Sequence, residues 1–201
     1  EQLGFEGRID IFEKKEGPQQ GNIQSTLIAE FINRPIKDPL LYLFDKYGLE
    51  VKPAATIYHS INHGPKTKAE FRGFLGYVML RGGHPDSLEN QLRRQVRTEV
   101  QYGKQSALED LGRKYDCIVI ATGNWDYVPQ LVSFRIEAHV SFHYAVVSEK
   151  SVPLNPNQFE MWFNSRYAPV GYAYRIPLTG KRAMMTCTGV ISKNRDPVTE
   201  G

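Results

Sequence analysis

The sequence predicts an α/β part joined to an antiparallel β-sheet, and three stretches carry that expectation. In "HPDSLENQLRRQV", Pro85 precedes Asp86, Asp86 and Glu89 have the spacing of a capping box, and Leu88, Leu92 and Val96 form one apolar stripe, so the segment reads as a helix. In "YDCIVIATG", the unbroken apolar run from Cys117 to Ala121 fits a strand covered on both faces, as in a parallel sheet. In "FRIEAHVSFHYAVV", Phe134, Ile136, Ala138, Val140, Phe142, Tyr144 and Val146 alternate with Arg135, Glu137, His139, Ser141 and His143. Period two is the pattern of an antiparallel strand with one buried and one wet face.

The remaining elements follow in chain order. "EQLGFEGRIDIFEKKE" reads as a helix tail, a glycine connection and a strand from Arg8 to about Glu13. Residues 17 to 34 read as turn-rich and then weakly helical. "IKDPLLYLFDKYGLE" predicts a helix with Leu40, Leu41, Leu43 and Phe44 on its apolar side and Gly48 as its stop. "VKPAATIYHSINHG" and "AEFRGFLGYVMLRGG" are rich in β-formers and broken by Gly or Pro, so both are expected to be extended strands. A short strand is expected near Glu99 to Tyr102, and "QFEMWFN", "GYAYRIPL" and "RAMMTCTGVIS" continue the antiparallel part.

The bulk numbers exclude several classes. Lys and Arg exceed Asp and Glu by 25 − 22 = 3, too small a surplus to argue for nucleic acid. Arg93, Arg94, Arg97 and Lys104 make the densest basic spot, most simply a solvated face. Two cysteines, Cys117 and Cys187, are too few for a disulfide framework or a cysteine zinc site, so a reducing compartment is expected. No segment has the roughly 20 apolar residues of a membrane span. His59 and His63, like His139 and His143, are four apart, but four residues of strand cover about 13 Å, so no metal site is expected.

Four pieces together resemble one family. The chain is similar to the middle of FAD-dependent oxidoreductases of the geranylgeranyl reductase type, within the group that shares the fold of p-hydroxybenzoate hydroxylase. "GRIDIFEKK" resembles the second strand of a dinucleotide-binding unit, whose terminal acid, here Glu13, holds the adenosine ribose of FAD. "RGGHPDSLENQL" resembles a strand-to-helix junction whose arginine, here Arg81, lies beside the ribityl or phosphate region of the flavin. "YDCIVIATG" resembles the strand and turn, here ending in Ala121, Thr122 and Gly123, that pass close to the cofactor. "PVGYAYRIP" resembles the motif PxxYxWxFP that lines the substrate cavity over the isoalloxazine ring, with Tyr174 in place of its Trp and Ile176 in place of its Phe.

The resemblance implies part of a Rossmann-like FAD-binding domain at 1–128, interrupted at about 49–80 by strands of a substrate domain that occupies 129–201. The G-x-G-x-x-G turn of such folds does not occur in these residues, nor does the family's late Gly-Asp segment, and an internal fragment is expected on that account. Trp162, Tyr172, Tyr174 and Ile176 are the expected substrate-binding residues, and no catalytic side chain is singled out. Nine aromatic residues between Phe134 and Tyr174 suit a dry tunnel for a prenyl chain.

The implied function is reduction of C=C bonds in a prenyl or other apolar substrate, with the flavin as hydride donor. The implied partners are an apolar small-molecule or lipid substrate and an electron donor such as NAD(P)H or ferredoxin, with no nucleic acid. The implied location is cytoplasmic, with peripheral contact to a membrane allowed. A flavin-dependent monooxygenase or halogenase of the same fold is one alternative, and a non-catalytic lipid- or partner-binding module is another.

Overall fold

The computed structural model describes residues 4–17, 21–32, 35–122, 131, 139–150, 153–166, 168, 171–179 and 181–191. Two sheets carry the fold. A short parallel pair joins β1 (Ile11–Glu13) to β5 (Val100–Tyr102), with Ile11 opposite Val100 and Glu13 opposite Tyr102.

The main sheet contains β2 (Gln24–Ala29), β3 (Ala55–His63), β4 (Lys68–Arg81), β6 (His139–Ser148), β7 (Gln158–Trp162), β8 (Ala173–Pro177) and β9 (Arg182–Ile191). Their order is β2-β4-β3-β7-β8-β9-β6. Only the β3–β7 pair is parallel. The strands of 55–81 therefore belong to the same sheet as β6 to β9.

This sheet curls, bringing β2 against β8. Ile57, Val78, Ile176 and Met184 are buried inside the curl, with Leu27, Leu75, Phe159 and Tyr174 packed on them. Each such aliphatic side chain contributes about 1.5–3 kcal/mol by leaving water.

The helices lie outside. In α1 (Pro39–Tyr47), Asp38 accepts hydrogen bonds from the amides of Leu40 and Leu41, and Gly48 ends the helix at φ 65°. Pro39 is buried and Leu40, Tyr42, Leu43 and Tyr47 are partly covered, whereas Leu41 and Phe44, expected on the apolar side, are exposed.

Helix α2 (Leu88–Arg93) is capped by Ser87, not Asp86. Its buried residue is Gln91, whose side chain exchanges two hydrogen bonds with the Lys52 backbone, at 2.6 and 2.9 Å. Gln95 repeats the exchange with Glu50. The expected Leu88, Leu92 and Val96 stripe is only partly covered, and Val96 is exposed, because these glutamines hold residues 50–52 like a neighbouring strand.

Two further expectations are corrected, and one helix is added. The stretch read as weakly helical holds strand β2, since pairing with β4 outweighs its local preference. Cys117 to Ala121 joins no strand; the parallel partner of β1 is β5, and Val119 is 84% exposed. Helix α3 (Leu108–Lys114) was not anticipated: it has no side-chain cap and no buried residue, the two signals by which such a helix is read.

Strand β6 forms where alternation predicts it, but its apolar face is not covered. Phe142 is 62% exposed, and Val140 and Val146 are also exposed, because β6 is the last strand of the sheet and no layer closes over it among the described residues. Phe134, Ile136 and Ala138 lie outside the described residues. No helix among the described residues is long and apolar enough to cross a membrane.

Candidate functional site

The stretch "GYAYRIP" is built around a glycine that the backbone requires. Gly171 has φ +153°, and a Cβ there would collide with the carbonyl of Thr188. That close approach lets Thr188 Oγ1 donate to the Tyr172 carbonyl at 2.8 Å while accepting from the Tyr172 amide at 3.2 Å.

Pairing fixes which side chains share a face. Residues opposite in register point the same way, so Tyr174 lies with Met161 and Thr186, and Ile176 with Met184. Tyr144 and Val146 of β6 join them through Thr186 and Met184. Four rings run along this face at centroid spacings of 5.9–6.0 Å, in the order Phe163, Tyr172, Tyr174, Phe159.

Trp162 is not in that row. It is opposite Ala173, on the reverse face that also carries the Glu160–Arg175 ion pair, and it stacks on His63 with centroids 5.2 Å apart. One position of strand separates the two faces, so Trp162 cannot share a cavity wall with Tyr172 and Tyr174. The alternation of "QFEMWFN" already holds the signal that Phe159, Met161 and Phe163 take the other side.

Ile176 is 1% exposed and belongs to the core, so it has no surface left to present to a ligand. Tyr172 is partly open, and Tyr174 lies between these two states.

A cleft of about 540 Å³ opens beside these rings. One wall is Phe142, Tyr144, Tyr174, Met184 and Thr186; the other is Gly21, Asn22, Gln24, Ser25, Thr26, Arg81, Gly82 and Glu89. The curl of the sheet thus brings Arg81 and Tyr174, far apart in sequence, to one cavity. Arg81 ends β4 and pairs with Glu89 of α2. Gly82, at φ +77°, turns the chain where a Cβ would meet the Asn22 carbonyl. These placements hold the guanidinium at the junction between sheet and helix.

Glu13, Ala121 and Thr122 do not line this cleft among the described residues, and Gly123 lies outside them. Glu13 ends β1 beside β5, as an acid closing a parallel strand, and its carboxylate accepts the Lys15 amide at 2.9 Å. Ala121 and Thr122 are exposed.

A larger cleft of about 890 Å³ lies elsewhere, with Lys52, His84, Gln91, Arg175 and Arg182 in its wall. Leu80, Leu154, Pro177 and Leu178 also line it, and its only residue from the Tyr172–Ile176 stretch is Arg175. Among the described residues, no group of three or more His, Cys, Asp or Glu is placed to hold a metal ion.

No family model matches the chain, and no curated protein matches it.

Proposed function

We propose that this chain is part of an FAD-dependent oxidoreductase that reduces C=C bonds of a prenyl or other apolar substrate. The observation that carries the reading is the shared cleft of Arg81 and Tyr174, the residues expected beside the flavin and over its ring.

The residues of the cleft fit the group. An aromatic wall suits a flat ring, and Arg81 with the close turn at Gly82 suits a polar chain running out of it. Bound FAD would supply the hydride that no side chain can donate. The chain's own residues would orient and dry the site: Tyr174 against the substrate with the Tyr172 ring packed beside it, Phe142 and Tyr144 across from Arg81, and Glu89 holding that guanidinium in place.

A non-catalytic lipid-binding module is the second reading, favoured by the open apolar row of β6. The test separates them. The complete protein that contains this chain is purified and its visible spectrum recorded, and the reduced flavin is then mixed with a prenyl substrate in a single turnover. A yellow protein whose flavin is reoxidised by the olefin is expected. A colourless protein that takes up no added FAD would sink the redox reading and leave the binding module.

A further inference from the structure

The cleft has a polar floor that nothing among the described residues satisfies. Ser25 is 5% exposed and Thr186 4%, yet neither Ser25 Oγ nor Thr186 Oγ1 has a hydrogen-bond partner among the described residues. Glu89 Oε2 is likewise buried and unpartnered, while the Arg81 guanidinium is engaged by the other carboxylate oxygen. All three residues line the same cavity, and they come from β2, β9 and α2. A buried hydroxyl left without a partner carries an uncompensated desolvation penalty. Orphaned groups meeting in one cavity are placed to pair with whatever enters it.

Their chemistry selects the ligand. Two hydroxyls can each donate and accept, whereas Glu89 Oε2 can only accept. The carboxylate asks for a donor and repels an anion, and Arg81, the one cation of the lining, is already neutralised by it. Phe142, Tyr144, Tyr174 and Met184 supply the apolar remainder.

We infer that this cleft binds an uncharged, hydroxyl-bearing amphiphile, with its hydroxyl end between Ser25, Thr186 and Glu89 and its apolar body on the aromatic wall. An isoprenoid whose hydroxyl is replaced by a phosphate is disfavoured, because that anion would sit against Glu89. The inference deepens the reading above by naming head-group chemistry, and it rests on that reading only for the prenyl nature of the apolar body. The hydroxyls have two conceivable sources, an isoprenoid alcohol and the sugar-alcohol chain of a flavin, and the experiment distinguishes them.

The complete protein that contains this chain, freed of any bound flavin, is titrated with farnesol, farnesyl diphosphate, riboflavin and lumiflavin, following tyrosine and tryptophan fluorescence, for wild type, Ser25→Ala and Thr186→Val. Farnesol binding at least fivefold tighter than its diphosphate, weakened at least fivefold by Thr186→Val, assigns the site to the alcohol. Riboflavin binding at least fivefold tighter than lumiflavin, with the same dependence on Thr186, assigns it to the sugar-alcohol chain. Either result supports the inference. Thermal midpoints are read in parallel: a hydroxyl kept for a ligand can be removed without lowering the midpoint of the free protein. Diphosphate binding as tightly as the alcohol, no binding of any probe, or a Thr186→Val protein that melts lower but binds unchanged would each overturn it. Alcohol binding through Thr186 in a protein that never carries flavin would leave the inference standing while the redox reading fails.

Discussion

The Tyr77 hydroxyl donates a 2.9 Å hydrogen bond to Asp38 Oδ2, while Asp38 Oδ1 caps helix α1 through the amides of Leu40 and Leu41. One carboxylate thus ties the helix to β4. Burial, then the Asp38 carboxylate, pushes the Tyr77 phenol up from 10 to about 12. Between those values the unfolded chain loses the proton that the folded chain keeps, so this stabilisation is complete below pH 10 and is lost as pH rises towards 12. Tyr77→Phe is expected to cost about 1–2 kcal/mol at neutral pH and to remove that alkaline decline, as measured by denaturant midpoints from pH 8 to 12.

On the opposite side of the pH scale, Lys68, and after it His59, hold the Glu70 carboxyl at about 2 against an ordinary 4.5. Its folded value is depressed, so its contribution is present above about pH 4.5 and fades as the pH falls to about 2. Glu70→Gln should lower the melting midpoint above about pH 4.5 and flatten the acid side of the profile, the two proteins converging as the pH falls to about 2. Identical acid profiles for the two proteins would show that the contact does not form in solution.

The Glu160–Arg175 pair, at 2.9 Å with both side chains largely buried, gives a different test. Arg175→Met strands a carboxylate and is expected to cost about 3 kcal/mol, whereas Arg175→Met with Glu160→Leu should recover most of the loss. Chemical denaturation of the two single variants and the double variant decides it.

The aromatic row separates core from cavity. Ile176→Ala removes a side chain packed by Ile57, Val78 and Met184, and should cost about 2–5 kcal/mol. Tyr172→Ala, at a partly exposed ring, should cost only about 1–2 kcal/mol while lowering turnover in the complete protein much more. Tyr174→Trp should fold and turn over, since the position already accommodates an aromatic ring. A Tyr172→Ala protein that melts like Ile176→Ala and keeps full turnover per folded molecule would place Tyr172 in the core.

Local signals were legible where they were strong. The leucines at 40, 41 and 43 and glycine at 48 are enough to write α1, though not to say which of its apolar side chains are covered, and the alternation through 139–148 is enough to write β6. Alternation also made Tyr172, Tyr174 and Ile176 one face, and the register confirms it for Tyr174 and Ile176. The same rule applied to "QFEMWFN" would have separated Trp162 from the tyrosines. Strand β2 was illegible because "QSTLIA" has no period of its own; its state comes from β4, some fifty residues later.

By itself, then, the sequence determined which segments are strands or helices wherever side-chain period, caps and turn residues agree, since those are interactions within a few residues. Tertiary structure decided which faces are covered. Ile176 and Phe142 both sit on the apolar face of an alternating strand, yet one is sealed in the core and the other open, because β8 lies inside the curl and β6 at its edge. The cleft was decided there as well. Ser25, Arg81, Glu89, Tyr174 and Thr186 meet only because a seven-stranded sheet curls, and a sequence pattern that repeats every two or four residues holds no record of that curl.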